Sequence, residues 1–280
     1  EIIATAIANA VINRMGPTFV RLAQEKTGKD LGSITNAYLV VRDAFGLRDL
    51  WKSIEALDSK VPALAQTRAM QKISKLAERE TYWLLNRLGR TANLEKDGAV
   101  FSKGISDLKL TLEKILPPDM KENFVVRRSV WVENGVPQKL AQDIALLPLL
   151  SSGFEIIQIS TTLKKDIARV AQVYFTCGSV FSFEKSRNKI HNLAQDTPQM
   201  TMAVSALIDS FYRIQSSFTG QILKDLGKMP VTDKAIMQWI ETSCPEAADV
   251  IADVAATNQN GGFDFAALVV LEQRLRRLVQ

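Results

Sequence analysis

Apolar residues recur every three or four positions along nearly the whole chain, and that spacing predicts helices almost throughout. From Ile2 to Met15, the residues Ile3, Ile7, Ala10, Val11 and Arg14 share one stripe, which Gly16-Pro17 stops. A second helix is expected from Pro17 or Thr18 to Lys26, with Gly28 as a left-handed cap. Asp30 can cap a third, through Phe45, and Gly46 breaks it before a fourth over Leu47 to Leu57. A long helix follows from about Pro62 to Leu88, its stripe reading Ala69, Ile73, Leu76, Glu80, Trp83 and Leu84. The next spans Leu94 to Leu116, with Gly104 as its weak point, and Pro117-Pro118 opens another that reaches about Val132.

Asn134-Gly135 marks a turn, and the cluster Asn134-Gly135-Val136-Pro137 is the expected boundary between an N-terminal subdomain, 1–134, and a C-terminal one, 135–280. Pro137 starts a short helix that Pro148 should end. The run Phe154 to Ile159 is strand-like but has no clear partner, so a helix or an extended connection is expected there rather than a sheet. Thr161 or Thr162 then caps a helix to Phe175, followed by helices over Val180 to Leu193 and Pro198 to about Leu226. Thr232 caps a helix through Ile240, Pro245 starts one to about Ala256, and Phe265 to Leu278 forms the last. The fold class is therefore all-α: an irregular multi-helix bundle of roughly a dozen helices, in one or two subdomains.

Composition agrees. Hydrophobic residues make up 46% and charged residues 23% of 280 residues, enough to bury a sizeable core. The net charge is +5, with a pI near 9.1, which invites a nucleic-acid reading. However, the 35 basic and 30 acidic residues intermingle without a long block of one sign, as on a solvated mixed-charge surface. Cys177 and Cys244 stand far apart and read as free thiols in a reducing, cytoplasmic setting. No window is long and apolar enough for a membrane span. Glu1 opens a run that reads as the middle of a helix, so the chain is expected to be a piece cut from a longer protein.

The search for chemistry returns little. Neither a G-x-G-x-x-G dinucleotide fingerprint nor a phosphate-binding P-loop occurs. His191 is the sole histidine, which removes any multi-histidine metal site, and the cysteines lack zinc-ligand spacing. Cys177 could act as a nucleophile with His191, but nothing orients such a pair, and a half-buried inert thiol with a surface histidine is preferred. The pairs Glu78 with Glu80 and Asp249 with Asp253 read as solvated helix faces. The stretch from Val136 to Phe175 could be helix-turn-helix-like, yet Lys164 and Lys165 are followed by Asp166 and by no Arg or Asn cluster. No catalytic, cofactor-binding or metal-binding residue is expected. Arg14, Met15, Gly16 and Pro17 form a candidate structural junction, since Gly-Pro breaks a helix sharply while a cation sits at its negative end.

The N-terminal residues carry more than periodicity. The run Glu1-Ile2-Ile3-Ala4-Thr5, then Ala8-Asn9, then Val11-Ile12-Asn13-Arg14-Met15-Gly16-Pro17-Thr18-Phe19 closely resembles the C-terminal region of large bacterial NAD-specific glutamate dehydrogenases. Ala37-Tyr38-Leu39, Ala44-Phe45, Leu50-Trp51, Ile54-Glu55-Ala56-Leu57-Asp58 and Val61-Pro62 continue the resemblance in order. Gly135-Val136-Pro137, Leu140-Ala141 and Val173-Tyr174-Phe175 extend it further. The resemblance implies a very long polypeptide that oxidises L-glutamate with NAD, its catalytic and regulatory domains lying upstream. No catalytic residue of that core maps onto this chain. The expected role is a non-catalytic module that packs against the upstream domains of the same polypeptide, in a homo-oligomer, with NAD bound elsewhere in the parent. The alternative is a stand-alone basic helical protein that binds nucleic acid.

Overall fold

The computed structural model describes residues 17–57, 61–87, 94–191, 193, 197–227, 230–259 and 263–279. Among these residues the chain is all-α, with 14 helices and no strand. In order they are α1 (Pro17–Thr27), α2 (Leu31–Ala44), α3 (Leu47–Glu55), α4 (Ala63–Arg87), α5 (Leu94–Ile115), α6 (Pro118–Glu133) and α7 (Gln138–Leu150). There follow α8 (Gly153–Leu163), α9 (Ile167–Val180), α10 (Phe183–His191), α11 (Pro198–Asp225), α12 (Asp233–Ser243), α13 (Pro245–Gln259) and α14 (Phe265–Arg277).

The chain forms two compact units, one of residues 1–113 and 121–158 and the other of residues 114–120 and 159–280. In the first, α4 is the central helix, packing against α1, α2, α3 and α7. Its stripe of Ala69, Ile73, Leu76, Glu80, Trp83 and Leu84 is buried along its length. Phe45, Trp83, Phe101 and Phe154 meet in one aromatic cluster, with Phe101 stacked on Phe154 at 4.2 Å between ring centroids. The turn at Asn134 and Gly135, where Gly135 has φ 82°, joins α6 to α7 inside this unit.

In the second unit α11 plays the central part, packed against α9, α10 and α14. Phe183 stacks on Phe181 and Phe211, and Phe218 meets Phe181 and Trp239 edge-on. Polar ties run between its helices. The Gln215 side chain donates to the Tyr174 carbonyl at 2.7 Å, and Asn258 donates to Ser186 Oγ at 2.9 Å.

Local signals set several helix starts. Asp30, Thr197, Thr232 and Asp264 each accept a backbone N–H from the first turn of α2, α11, α12 and α14. Three expectations need correction. Pro148 does not end α7, which runs on to Leu150; a proline forfeits one intrahelical bond, and the apolar face here continues past it. Thr161 and Thr162 lie inside α8, and Asp166 caps α9 instead, after Lys164 turns left-handed at φ 51°. Gly104 is a place of close approach rather than weakness: a Cβ there would lie 2.7 Å from Ile157 Cδ1. The strand-like run from Phe154 to Ile159 is helical, within α8.

Among the described residues no single helix is long and apolar enough to cross a membrane. Helices α7 and α8 pass that test only together, and they meet at a 62° bend. Most of α7 is buried, as is the first half of α8.

Candidate functional site

Of the candidate junction, Arg14, Met15 and Gly16 lie outside the described residues, and Pro17 opens α1. Cys177 sits in the middle of the buried face of α9 rather than half-buried. Burial pushes its thiol up to about 12, far from the thiolate that nucleophilic chemistry requires. His191 ends α10, and its side chain is outside the described part. Cys244 is partly exposed, and both cysteines are free. Asp249 is exposed as expected, while Asp253 is partly covered and pairs with Arg274. Among the described residues no group of three or more His, Cys, Asp and Glu could hold a metal ion.

Glu80 overturns the expectation of a solvated carboxylate pair. Its side chain is 1% exposed, whereas Glu78 is only partly covered. The two residues lie about 200° apart around α4, so one can face the core while the other faces out. Glu80 reaches the elbow between α7 and α8 and accepts the Phe154 backbone N–H at 3.1 Å through Oε2. That N–H is one of the orphan donors at the start of α8, so Glu80 caps a helix distant in sequence. Arg79 beside it donates to the Ser151 carbonyl at the end of α7. Its guanidinium lies 3.9 Å from Glu80 and 3.8 Å from Glu155, itself 5% exposed. Adjacent residues of α4 thus tie both sides of one elbow.

Burial raises the Glu80 carboxyl to about 8, against the opposing pull of Arg79 and the Phe154 N–H, and Glu155 adds to the rise. At neutral pH the group is mostly protonated. Oε1 finds no hydrogen-bond partner within the protein, and Phe154, whose N–H binds Oε2, belongs to the aromatic cluster. Gly153 allows Ile105 of α5 to pack closely against the elbow, since a Cβ there would lie 2.5 Å from Ile105 Cδ1. The signal for Glu80 was present in the sequence, on the apolar stripe of α4; what it would meet was not.

The other unusual element is α6. Met120, Phe124 and Trp131 are buried on one side. Yet Val125, Val126, Val130 and Val132 are 44%, 54%, 48% and 43% exposed, so apolar side chains face both ways. Arg128 lies over the Phe124 ring and 3.8 Å from Glu113.

Comparison with known proteins agrees with the sequence resemblance. The NAD-specific glutamate dehydrogenase of Pseudomonas aeruginosa is 30% identical over 280 residues, all of this chain and 17% of that protein. That of Halomonas elongata is 29% identical over 276 residues, 97% of this chain and again 17% of the relative. That of Mycobacterium tuberculosis is 21% identical over 280 residues, with the same 17% share. The chain therefore spans about one sixth of the length of these relatives. The family described as "Glutamate dehydrogenase, C-terminal" matches residues 1–277, and the chain belongs to that family.

Proposed function

We propose that this chain is the non-catalytic C-terminal helical segment of a large NAD-dependent glutamate dehydrogenase. The parent reaction converts L-glutamate, NAD and water to 2-oxoglutarate, ammonia and NADH. The observation that carries the reading is the family match over residues 1–277, together with relatives of which this chain corresponds to only 17%. Binding of NAD and glutamate, and the hydride transfer, belong on this reading to residues upstream. The segment serves interdomain packing and assembly of a cytoplasmic homo-oligomer, or its regulation.

Its local chemistry suits such a role. Among the described residues the one strongly perturbed carboxyl, Glu80, holds a helix start. The most buried thiol, Cys177, is held protonated. The nucleic-acid alternative draws no support from the three relatives, each an NAD-specific glutamate dehydrogenase.

The test has two steps. The reading frame that contains this chain must encode a dehydrogenase core upstream; a frame without one overturns the proposal. With the full-length enzyme, removal of residues 1–280 should change oligomeric state or the control of NAD-dependent glutamate oxidation. An enzyme unchanged in both would refute the assigned role.

A further inference from the structure

Four of the ten large hydrophobic side chains that are exposed among the described residues lie within eight positions of α6. A helix with one side in the core ordinarily turns charged and polar residues to the other. Propensity gives no reason for valine there either, since β-branched side chains lose χ1 freedom in a helix. At about 100° per residue, Val125 and Val132 form one edge of the exposed arc and Val126 and Val130 the other. Glu122, Ser129 and Glu133 run between them, all exposed. The pattern is that of a helix covered on both sides.

We propose that this valine-edged arc of α6 docks against the dehydrogenase portion of the same polypeptide, on an apolar surface that presents a basic group to each of Glu122 and Glu133. The inference rests on the reading above, under which most of the polypeptide lies outside these residues. The charges argue against a second α6 as the occupant. A two-fold antiparallel pairing centred between Arg127 and Arg128 sets Val125 opposite Val130, but it also sets Glu122 opposite Glu133 twice. A parallel pairing sets each glutamate against its own copy. Either brings like charges together on the exposed arc, where no cation intervenes: Arg127 and Arg128 lie toward the buried side, and Lys121 lies beyond the Val125 edge. A partner with cations roughly 16 Å apart, the rise of eleven helical residues, would neutralise both ends.

The test uses the full-length enzyme with a photo-cross-linking residue at Val126 or Val130, and at Val270 of α14 as a control. Mixing unlabelled with 15N-labelled enzyme separates links within a polypeptide from links between two. Links from α6 to the dehydrogenase portion of its own polypeptide are expected at both α6 positions. Links to a second α6, or between polypeptides in place of internal ones, overturn the proposal, as does a yield no higher than at Val270. A paired measurement is amide exchange over residues 121–133, expected to be at least tenfold slower in the full-length enzyme than in Val126→Glu/Val130→Glu. Equal exchange in the two overturns it as well. NAD-dependent glutamate oxidation by the unsubstituted enzyme is recorded alongside: its absence condemns the functional reading, whereas its presence without internal links condemns only the docking face.

Discussion

Replacing Glu80 by glutamine should remove a pH dependence of stability that the native carboxyl imposes. Glutamine keeps an oxygen for the Phe154 N–H and is close in shape to the protonated acid. In the folded protein the Glu80 carboxyl is raised from 4.5 to about 8, chiefly by burial. Its folded value lies above its unfolded one, so between them the native state holds a proton that the unfolded state has released. The stabilisation from that proton is fully present below pH 4.5 and is lost as the pH rises through about 8. Each pH unit in the window carries about 1.4 kcal/mol, so the whole span of roughly 3.5 units amounts to at most about 5 kcal/mol.

The charged groups that act on Glu80 are Arg79, which lowers its carboxyl, and Glu155, which raises it. Both remain in the variant. Glu78 is also raised by burial, but it is common to both proteins and cancels in their difference. Urea unfolding followed through tryptophan reports on this region, because Trp83 packs edge-on against Phe101 and Phe154. A Trp239→Phe background removes the tryptophan of the second unit. Near pH 5 the native protein and Glu80→Gln should be similar. The native protein should then lose stability relative to the variant by about 1 kcal/mol per pH unit up to pH 8, and little beyond. Parallel curves from pH 5 to 8.5 would refute the argument, since they would mean that Glu80 is already ionised in the folded state.

Three further outcomes follow from other contacts. Gly178→Ala places a Cβ 2.5 Å from Gln215 Nε2, which is committed to the Tyr174 carbonyl, so thermal melts should show a loss of about 1–2 kcal/mol despite alanine's better helix propensity. A double-mutant cycle of Gly104→Ala with Ile157→Ala should show favourable coupling of about 1 kcal/mol or more, because the truncation removes the atoms that the new Cβ meets; additive effects would deny the close approach. With a thiol reagent at pH 8, Cys244 should be modified in the native protein and Cys177 only on unfolding, and equal rates for the two would contradict the burial of α9.

What the sequence revealed was local. Asp30, Thr232 and Gly28 act where their residue types imply, because a cap is decided within three or four positions and needs no tertiary information. Pro148 and Thr161 misled. The buried apolar face of α7 carries that helix past Pro148, and Asp166 rather than Thr161 or Thr162 supplies the side-chain cap that starts α9. Glu80 was legible as a member of an apolar stripe, yet its carboxylate type suggested solvent. The stripe was the better guide, and the missing fact was a helix start seventy-four positions away that needed an acceptor.

The same limit explains why α6 is the least legible element. Periodicity separates the two faces of a helix when one is buried and the other wet, and on α4 it does so cleanly. On α6 apolar residues fill the buried side and also flank the polar strip of Glu122, Ser129 and Glu133 on both edges, so the pattern identifies a helix with only a narrow outward face. Such a helix is normally buried on most sides, and within these residues one side of α6 is open. The ambiguity of its sequence and the exposure of its valines are therefore one fact seen twice. The residues that would cover the second side are those that should make α6 legible. Substitutions toward Glu on the Val126–Val130 edge should accordingly leave the fold of the 280-residue chain intact, with circular dichroism melts within about 0.5 kcal/mol of the native chain, because exposed positions tolerate such changes. A loss of several kcal/mol in this chain alone would show that the arc is already covered from within, and the argument for an outside partner would end there.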